Sequence, residues 1–240
     1  MKLSIIVPVY NEEKTICAII DKIKSVELNG ITKEIIAVDD KSTDSSLSLL
    51  KNMNGIILAN HEDNQGKGAA IRTGLRYVTG DIVLIQDADL EYDPHEYLKL
   101  LEPFSNPGIS VVFGSRFLKK DDMVRLRNLI SSRKNTLKSY SFLLGNLFLA
   151  SMTSLIFHNK ITDMETGYKV FRSGVIKGIP LKENRFGFEP EITAKLINRG
   201  YRILEIPITY HPRQLDEGKK ITISDGIKAL WYLIKYKVSG

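Results

Sequence analysis

Ile82-Val83-Leu84-Ile85-Gln86 runs directly into Asp87-Ala88-Asp89-Leu90-Glu91. The short, mostly apolar and partly β-branched run predicts a buried strand, and three carboxylates at alternating positions follow it at once. Carboxylates at that spacing repel one another unless a cation sits among them. Oxygen ligands of this hardness select Mg2+ or Mn2+, ions that commonly bridge a protein carboxylate to substrate phosphates. Acids merely solvated on a turn are the competing reading, and they seldom interrupt the end of a buried strand.

Outward from this stretch, the first half alternates between strands and helices. Leu3–Val9, Glu34–Val38, Ile56–Ala59 and Ser110–Gly114 read as further strands. Between them Glu13–Ser25, Ser45–Asn52, Lys67–Thr79 and Pro94–Phe104 place apolar residues at helical spacing. The alternation predicts an α/β fold: a mostly parallel, Rossmann-like sheet flanked by helices, with ligands bound at the carboxyl ends of its strands. Beyond Phe117 come a basic segment, Lys119–Lys138, and an uncharged stretch, Ser141–Phe157. A helical 187–200, a strand-like 201–211 and a closing amphipathic 223–240 follow. No internal repeat or low-complexity linker separates these parts. One domain over residues 1–240 is expected, with residues 1–118 and 119–240 as its two functional halves.

The loops that leave the strands therefore hold the candidate chemistry. The first strand ends in Pro8-Val9-Tyr10-Asn11-Glu12 and the second in Val38-Asp39-Asp40-Lys41-Ser42-Thr43-Asp44. Carboxylates there can accept hydrogen bonds from a base edge or ribose hydroxyls, and Tyr10 can stack on a base. Asn11 and Asp44 equally suit helix N-caps. Asn64-Gln65-Gly66-Lys67-Gly68 opens a helix with two glycines and a lysine, which lets backbone amides and an ammonium approach an anion. It lacks the spacing of a P-loop.

Composition narrows the classes. With 240 residues, 43% hydrophobic and 26% charged, the chain is neither disordered nor fibrous. One cysteine, Cys17, excludes an internal disulfide or a cysteine metal cluster. No secretory signal and no stretch of about 20 apolar residues is evident, so a cytoplasmic protein is expected. The net charge of +6 is unevenly divided. Residues 1–118 carry 12 Lys/Arg against 17 Asp/Glu, a net −5, whereas residues 119–240 carry 22 against 11, a net +11. Different partners are expected for the two halves.

Taken in order, VPVYNEE, VDDKSTD, NQGKGAA, QDADLEYDP, GSR and TDMETGYKVF resemble the inverting family 2 glycosyltransferases of GT-A fold. With FGFEPEITAKL, EIPITYHPR, EGKK and DGIKALWYL, they are most similar to the dolichyl-phosphate mannose synthase and polyprenyl-phosphate glycosyltransferase branch. The resemblance implies that Pro8, Tyr10, Glu12, Val38 and Asp40 hold the base and ribose of a nucleotide-diphosphate sugar, with Asp87 and Ala88 completing the pocket. It implies a Mg2+ or Mn2+ ion on Asp89 and Glu91. Arg116, Arg213 and Lys219 would face the diphosphate or the acceptor phosphate, Lys67 would belong to the nucleotide-sugar site, and Arg133 would help bind the acceptor phosphate. Asp89, Arg116 and Asp163 are the candidate catalytic residues.

Chemistry then separates the acceptors. The metal would neutralise the leaving diphosphate, and the arginines and lysines would add electrostatic stabilisation. A polyprenyl phosphate is already a charged nucleophile and requires no strong base. A hydroxyl acceptor, as in surface-polysaccharide synthesis, requires one, with Asp163 the first candidate and Glu189 or Glu191 behind it. Lys119, Lys120, Arg125, Arg127, Arg133, Lys134 and Lys138 precede the uncharged 141–157, and Trp231, Tyr232, Lys235, Tyr236 and Lys237 lie in the tail. This composition suits helices lying on an anionic membrane surface, so a peripheral position on the cytoplasmic membrane face is expected. The competing reading packs both helices on the sheet and turns their charges to water. A pI near 9.2 also fits a nucleic-acid-binding module, but no such motif is found and the positive charge lies opposite the carboxylates, so no nucleic-acid partner is expected.

Overall fold

Every strand expected in the first half forms, and each lies within two residues of its expected bounds. The computed structural model describes residues 1–118, 136–213 and 223–239. The strands are β1 (Lys2–Val9), β2 (Thr32–Asp39), β3 (Ile57–Asn60), β4 (Ile82–Ile85), β5 (Val111–Ser115), β6 (Lys169–Arg172) and β7 (Ile203–Pro207). They make one sheet in the order β3-β2-β1-β4-β6-β5-β7. β1 runs parallel to β2 and β4, β2 to β3, and β5 to β7, while β6 is antiparallel to both β4 and β5. The sheet is therefore mostly parallel, with one reversed strand inserted where the second half of the chain joins the first.

Two helical layers cover it. On one face lie α1 (Ile16–Ser25), α2 (Ser46–Lys51) and α4 (Tyr97–Leu101), whose Ile16, Ile19, Ile20, Ile23, Leu50, Tyr97 and Leu100 pack against Leu3, Ile5 and Val7 of β1. The other face receives α3 (Lys67–Leu75), α5 (Thr136–Phe157), α6 (Ser173–Lys177), α7 (Phe188–Asn198) and α8 (Ile223–Ser239) over Ile6, Val38, Val83 and Phe113. The period-two alternation of the strands sorts the core: Ile5 and Val7 to one layer, Ile6 to the other. The helix expected over Pro94–Phe104 is broken into 3-10 turns, Pro94–Glu96 and Glu102–Ser105, on either side of α4. Each 3-10 turn has a proline at its start, where the missing N–H is tolerated.

The two helices of the second half pack on the sheet, and each also leaves apolar side chains exposed. Leu149 and Phe157 of α5, and Ala229, Leu233 and Tyr236 of α8, are buried in the core. The same helices leave Leu144, Phe148 and Leu155, and Ile227, Trp231, Ile234 and Val238, exposed. Among the described residues no helix is long and apolar enough to cross a membrane. The basic run Lys119–Lys134 lies outside the described residues.

α3 lies against β1 through a glycine. A Cβ on Gly74 would stand 2.6 Å from Cγ2 of Ile6, a buried, β-branched neighbour with little room to turn. Gly74→Ala should lower stability by about 1–2 kcal/mol despite the better helix propensity of alanine. A fall in the thermal unfolding midpoint checks this.

Candidate active site

Because β1, β2 and β4 are parallel neighbours, their carboxyl ends open side by side, and a cavity of about 480 Å³ lies above them. Of the residues expected at the site, Pro8, Tyr10, Glu12, Asp40, Lys67, Asp87, Ala88, Asp89, Glu91, Arg116 and Arg213 line it. Val38 does not. Its side chain is fully buried with Ile36 and Ala59 in the layer beneath, so the contact with a bound base expected there is corrected to a core role. Arg133 and Lys219 lie outside the described residues.

The carboxylates are already paired. Lys67 Nζ bridges Asp87 Oδ1 at 2.8 Å and Glu189 Oε1 at 2.9 Å. Burial pulls the Lys67 ammonium down, but the charges of Asp87 and Glu189 outweigh it and its pKa is raised. Arg213 supplies the second cation: Nη2 donates to Glu12 Oε2 at 2.6 Å and lies 3.9 Å from Asp89 Oδ2, and Nε donates to the Asp89 carbonyl at 2.9 Å. Glu91 accepts from the Arg213 backbone N–H at 2.7 Å and the Tyr210 hydroxyl at 2.8 Å. The repulsion that the sequence reading assigned to a metal is thus answered within the chain. Among the described residues no group of three or more His, Cys, Asp or Glu is gathered to hold a metal ion. Asp89 retains the freest carboxylate, with Oδ1 accepting only a 3.1 Å bond from the Glu91 N–H.

Asp163, the first candidate base for a hydroxyl acceptor, is 1% exposed and locked to Arg116. Its Oδ2 accepts from Arg116 Nε at 2.7 Å and backbone N at 3.0 Å, and its Oδ1 from Nη2 at 2.7 Å. This fork aims Arg116 at the cavity and spends both Asp163 oxygens on positioning it, so Asp163 is not free to act as the base considered for a hydroxyl acceptor. Asp40 is similarly committed. It accepts from His61 Nδ1 at 2.7 Å, Asn64 Nδ2 at 2.9 Å, and the N–H groups of Gln65 and Gly66 at 2.9 and 2.6 Å. It organises the 64–68 loop from the cavity wall.

That loop carries glycines for close approach. A Cβ on Gly66 would meet the Asn184 carbonyl at 2.5 Å, and Gly66 stands at φ +101°. The Ala69 N–H donates to the same carbonyl at 3.1 Å. Asn11 is not the cap of α1, which has Thr15 at that position; its Oδ1 accepts from the Thr43 N–H at 2.8 Å and ties the first two strand-end loops together. Asp44 is not the cap of α2 either, which has Ser45 at that position, although its Oδ1 accepts from the Ser46 N–H at 2.9 Å.

Sequence reasoning passed over Glu165. It lines the cavity beside Glu189, and Oε1 of Glu165 and Oε2 of Glu189 are sealed from solvent with no hydrogen-bond partner among the described residues. Burial and the charge of Glu189 push the Glu165 carboxyl up to about 8. Burial brings the Lys169 ammonium down to about 8; it donates to the Met164 carbonyl at 3.0 Å and sits 4.7 Å from the Phe113 ring centre. The one available signal was the odd placement of charges in Glu165-Thr166-Gly167-Tyr168-Lys169, a stretch otherwise reading as a turn into a strand.

A mostly parallel sheet whose strand-end loops surround one charged cavity is the GT-A architecture of glycosyltransferases. Residues 4–176 match the family described as Glycosyl transferase family 2, and the chain belongs to that family. It is similar to dolichyl-phosphate beta-glucosyltransferase ALG5A of Trichomonas vaginalis, 32% identical over 98% of this chain and 73% of that protein. Dolichol-phosphate mannosyltransferase of Pyrococcus furiosus is 26% identical over 99% of this chain, which spans 65% of that protein's length. UDP-N-acetylglucosamine–dolichyl-phosphate N-acetylglucosaminyltransferase of Methanococcus voltae is 26% identical over 98% of this chain and 95% of its own. Among solved structures, Mycobacterium tuberculosis glucosyl-3-phosphoglycerate synthase in complex with Mn2+, UDP and phosphoglyceric acid superposes with a TM-score of 0.70 at 20% identity. That match covers 98% of this chain and 78% of that one. The likeness is one of fold.

Asp163→Ala would leave the Arg116 guanidinium buried and unpaired, at a cost of about 3–5 kcal/mol. A marked fall in the unfolding midpoint checks the positioning role; an unaltered midpoint would contradict it.

Proposed function

We propose that this glycosyltransferase moves a hexose, with inversion, from a nucleotide-diphosphate sugar to a polyprenyl or dolichyl phosphate at a membrane surface. The observation that carries the acceptor reading is the Arg116–Asp163 fork. The carboxylate best placed by sequence to be a base is spent on holding a guanidinium toward the cavity. Such a site has phosphate-binding charge where a hydroxyl acceptor would need proton removal, and a phosphate oxygen needs none. The printed names of the relatives from T. vaginalis, P. furiosus and M. voltae point to the same acceptor class.

On the donor side, Tyr10 and Glu12 at the end of β1 form the wall for base and ribose, and Asp40 holds the adjoining loop in place. Lys67 fixes Asp87 and Glu189 at the opposite wall. Arg213 bridges Glu12 and Asp89, so a diphosphate entering between them would exchange one set of oxygens for another on the same guanidinium. The donor set suits a hard cation such as Mg2+ or Mn2+: Asp89 would hold it, with Glu91 beside it, leaving the remaining coordination to diphosphate oxygens and water. When bound, the ion supplies charge neutralisation for the departing nucleoside diphosphate.

The exposed apolar residues of α5 and α8 form the proposed membrane face, with Lys228 and Lys237 beside them on α8. Basic side chains near an anionic surface contribute on the order of 1 kcal/mol each, diminished by salt. The protein should therefore float with anionic vesicles at low ionic strength and less so at high. A Phe148→Glu, Trp231→Glu double variant should stay in the soluble fraction; equal flotation of both proteins would remove this face from the reading.

The assay that tests the whole assignment crosses UDP-glucose, GDP-mannose and UDP-N-acetylglucosamine with a polyprenyl phosphate, with Mg2+, Mn2+ or chelator. Transfer to the lipid phosphate is expected with metal, and its loss in Asp89→Ala. Transfer to a sugar or glycerol hydroxyl, with polyprenyl phosphate ignored, would favour the polysaccharide-type reading.

A further inference from the structure

The acids and bases around the cavity do not balance. Lys67 and Lys169 face Asp87, Glu165 and Glu189, and the Arg116 charge is already matched by Asp163. Lys67 joins Asp87 to Glu189, and Lys169 spends its donors on carbonyls. Glu165 is the carboxyl left over: half-buried, lining the cavity, with one oxygen sealed and without a partner among the described residues. A buried polar group without a partner costs about 1–3 kcal/mol, and Glu165 therefore carries hydrogen-bonding capacity that the described residues do not use.

Its position bears on what would use that capacity. Glu165 lies two residues before Gly167, where a Cβ would collide with Asp87 Oδ2. The Gly167 N–H donates to the Tyr92 hydroxyl at 3.0 Å, which pins the turn against the strand-end carboxylates. Glu165 therefore stands close to Asp87 and beside Glu189 on the wall of the cavity that the acidic motif also lines. A hexose joined to a diphosphate at Asp89 would bring hydroxyl groups into this same cavity.

We propose that Glu165, backed by Glu189, hydrogen-bonds the hydroxyl groups of the transferred hexose and determines which sugar the cavity accepts. The proposal rests on the nucleotide-sugar reading above. The groups facing Glu165 are Glu189 of α7, Lys169 of β6, and the Arg116–Asp163 pair; burial and the neighbouring Glu189 keep its proton at neutral pH. A neutral carboxyl can both donate to and accept from a sugar hydroxyl, as a glutamine amide can and an alanine cannot.

The test compares wild type, Glu165→Ala and Glu165→Gln by calorimetric titration with UDP, GDP, UDP-glucose and GDP-mannose in Mg2+. Glu165→Ala should weaken the nucleotide sugar by about tenfold or more while the parent nucleotide, which also reports folding, stays within about twofold. It should also flatten the ratio of kcat/KM between donors whose sugars differ at one hydroxyl. Glu165→Gln should keep most of the affinity at pH 7. Wild type should lose nucleotide-sugar affinity as pH rises through about 8, and the Gln variant should not. Equal weakening of nucleotide and nucleotide sugar, or no change in either, would overturn the assignment. So would a hundredfold loss of kcat in Glu165→Gln with donor binding intact, which marks a base. If wild type binds no nucleotide and no nucleotide sugar, the donor reading itself falls and this assignment falls with it.

Discussion

Parallel strands bring their carboxyl ends to one edge, and in this chain those ends carry acids; the structure depends on how that crowding of negative charge is neutralised. Each solution is an internal cation drawn from a distant part of the sequence. Lys67, at the start of α3, joins the β4 loop to α7. Arg116, at the end of β5, takes Asp163, and Arg213, beyond β7, takes Glu12 and Asp89. Pairs of this depth add little net stability, because desolvation offsets much of the attraction, yet losing one partner is costly. They act chiefly as geometric constraints that fix where each loop sits.

Close backbone approach is the second constraint, and it follows from the first. The cations reach their acids only if the loops come within touching distance. Gly66 lies against the Asn184 carbonyl, and the Arg72 guanidinium donates to the Glu183 carbonyl at 2.7 Å and to the Asn184 side chain. Glu183 in turn accepts from Lys235 at 2.8 Å and from the Tyr236 hydroxyl at 2.5 Å. The 183–186 loop thus ties α8, whose outer surface is apolar, to the Lys67 loop of the cavity. The glycines that resemble a phosphate cradle in sequence are required here for protein-protein packing within the chain.

This explains which parts were legible in advance. The strands of the first half were readable because Leu3–Val9 and Ile82–Ile85 state their burial through composition, and the parallel sheet followed from their alternation with helices. The cavity was readable as strand-end loops. What periodicity does not carry is pairing between residues far apart. Nothing local distinguishes Asp40, saturated by His61 and the 64–66 backbone, from its neighbour Asp39, whose Oδ1 has no partner among the described residues. Nothing local shows that Arg213, 201 positions after Glu12, shares its charge. The reversed strand β6 escaped as well, being four residues long and preceded by a turn rich in polar groups.

Asp163 and Glu165 show the same principle at its smallest scale. They stand two positions apart, both acids, both near the same cavity. Asp163 meets a guanidinium whose fork matches its two oxygens, so its charge is compensated where it is buried. Glu165 meets Glu189, and the lysine nearest in sequence points to carbonyls. Desolvation and the charge of Glu189 then outweigh the pull of Lys169 and Arg116 and drive the second carboxyl toward its neutral form. One acid becomes scaffold and the other keeps unused hydrogen-bonding capacity on the cavity wall. Residue type does not distinguish them; their partners do, because both oxygens of Asp163 are matched by one guanidinium and those of Glu165 are not.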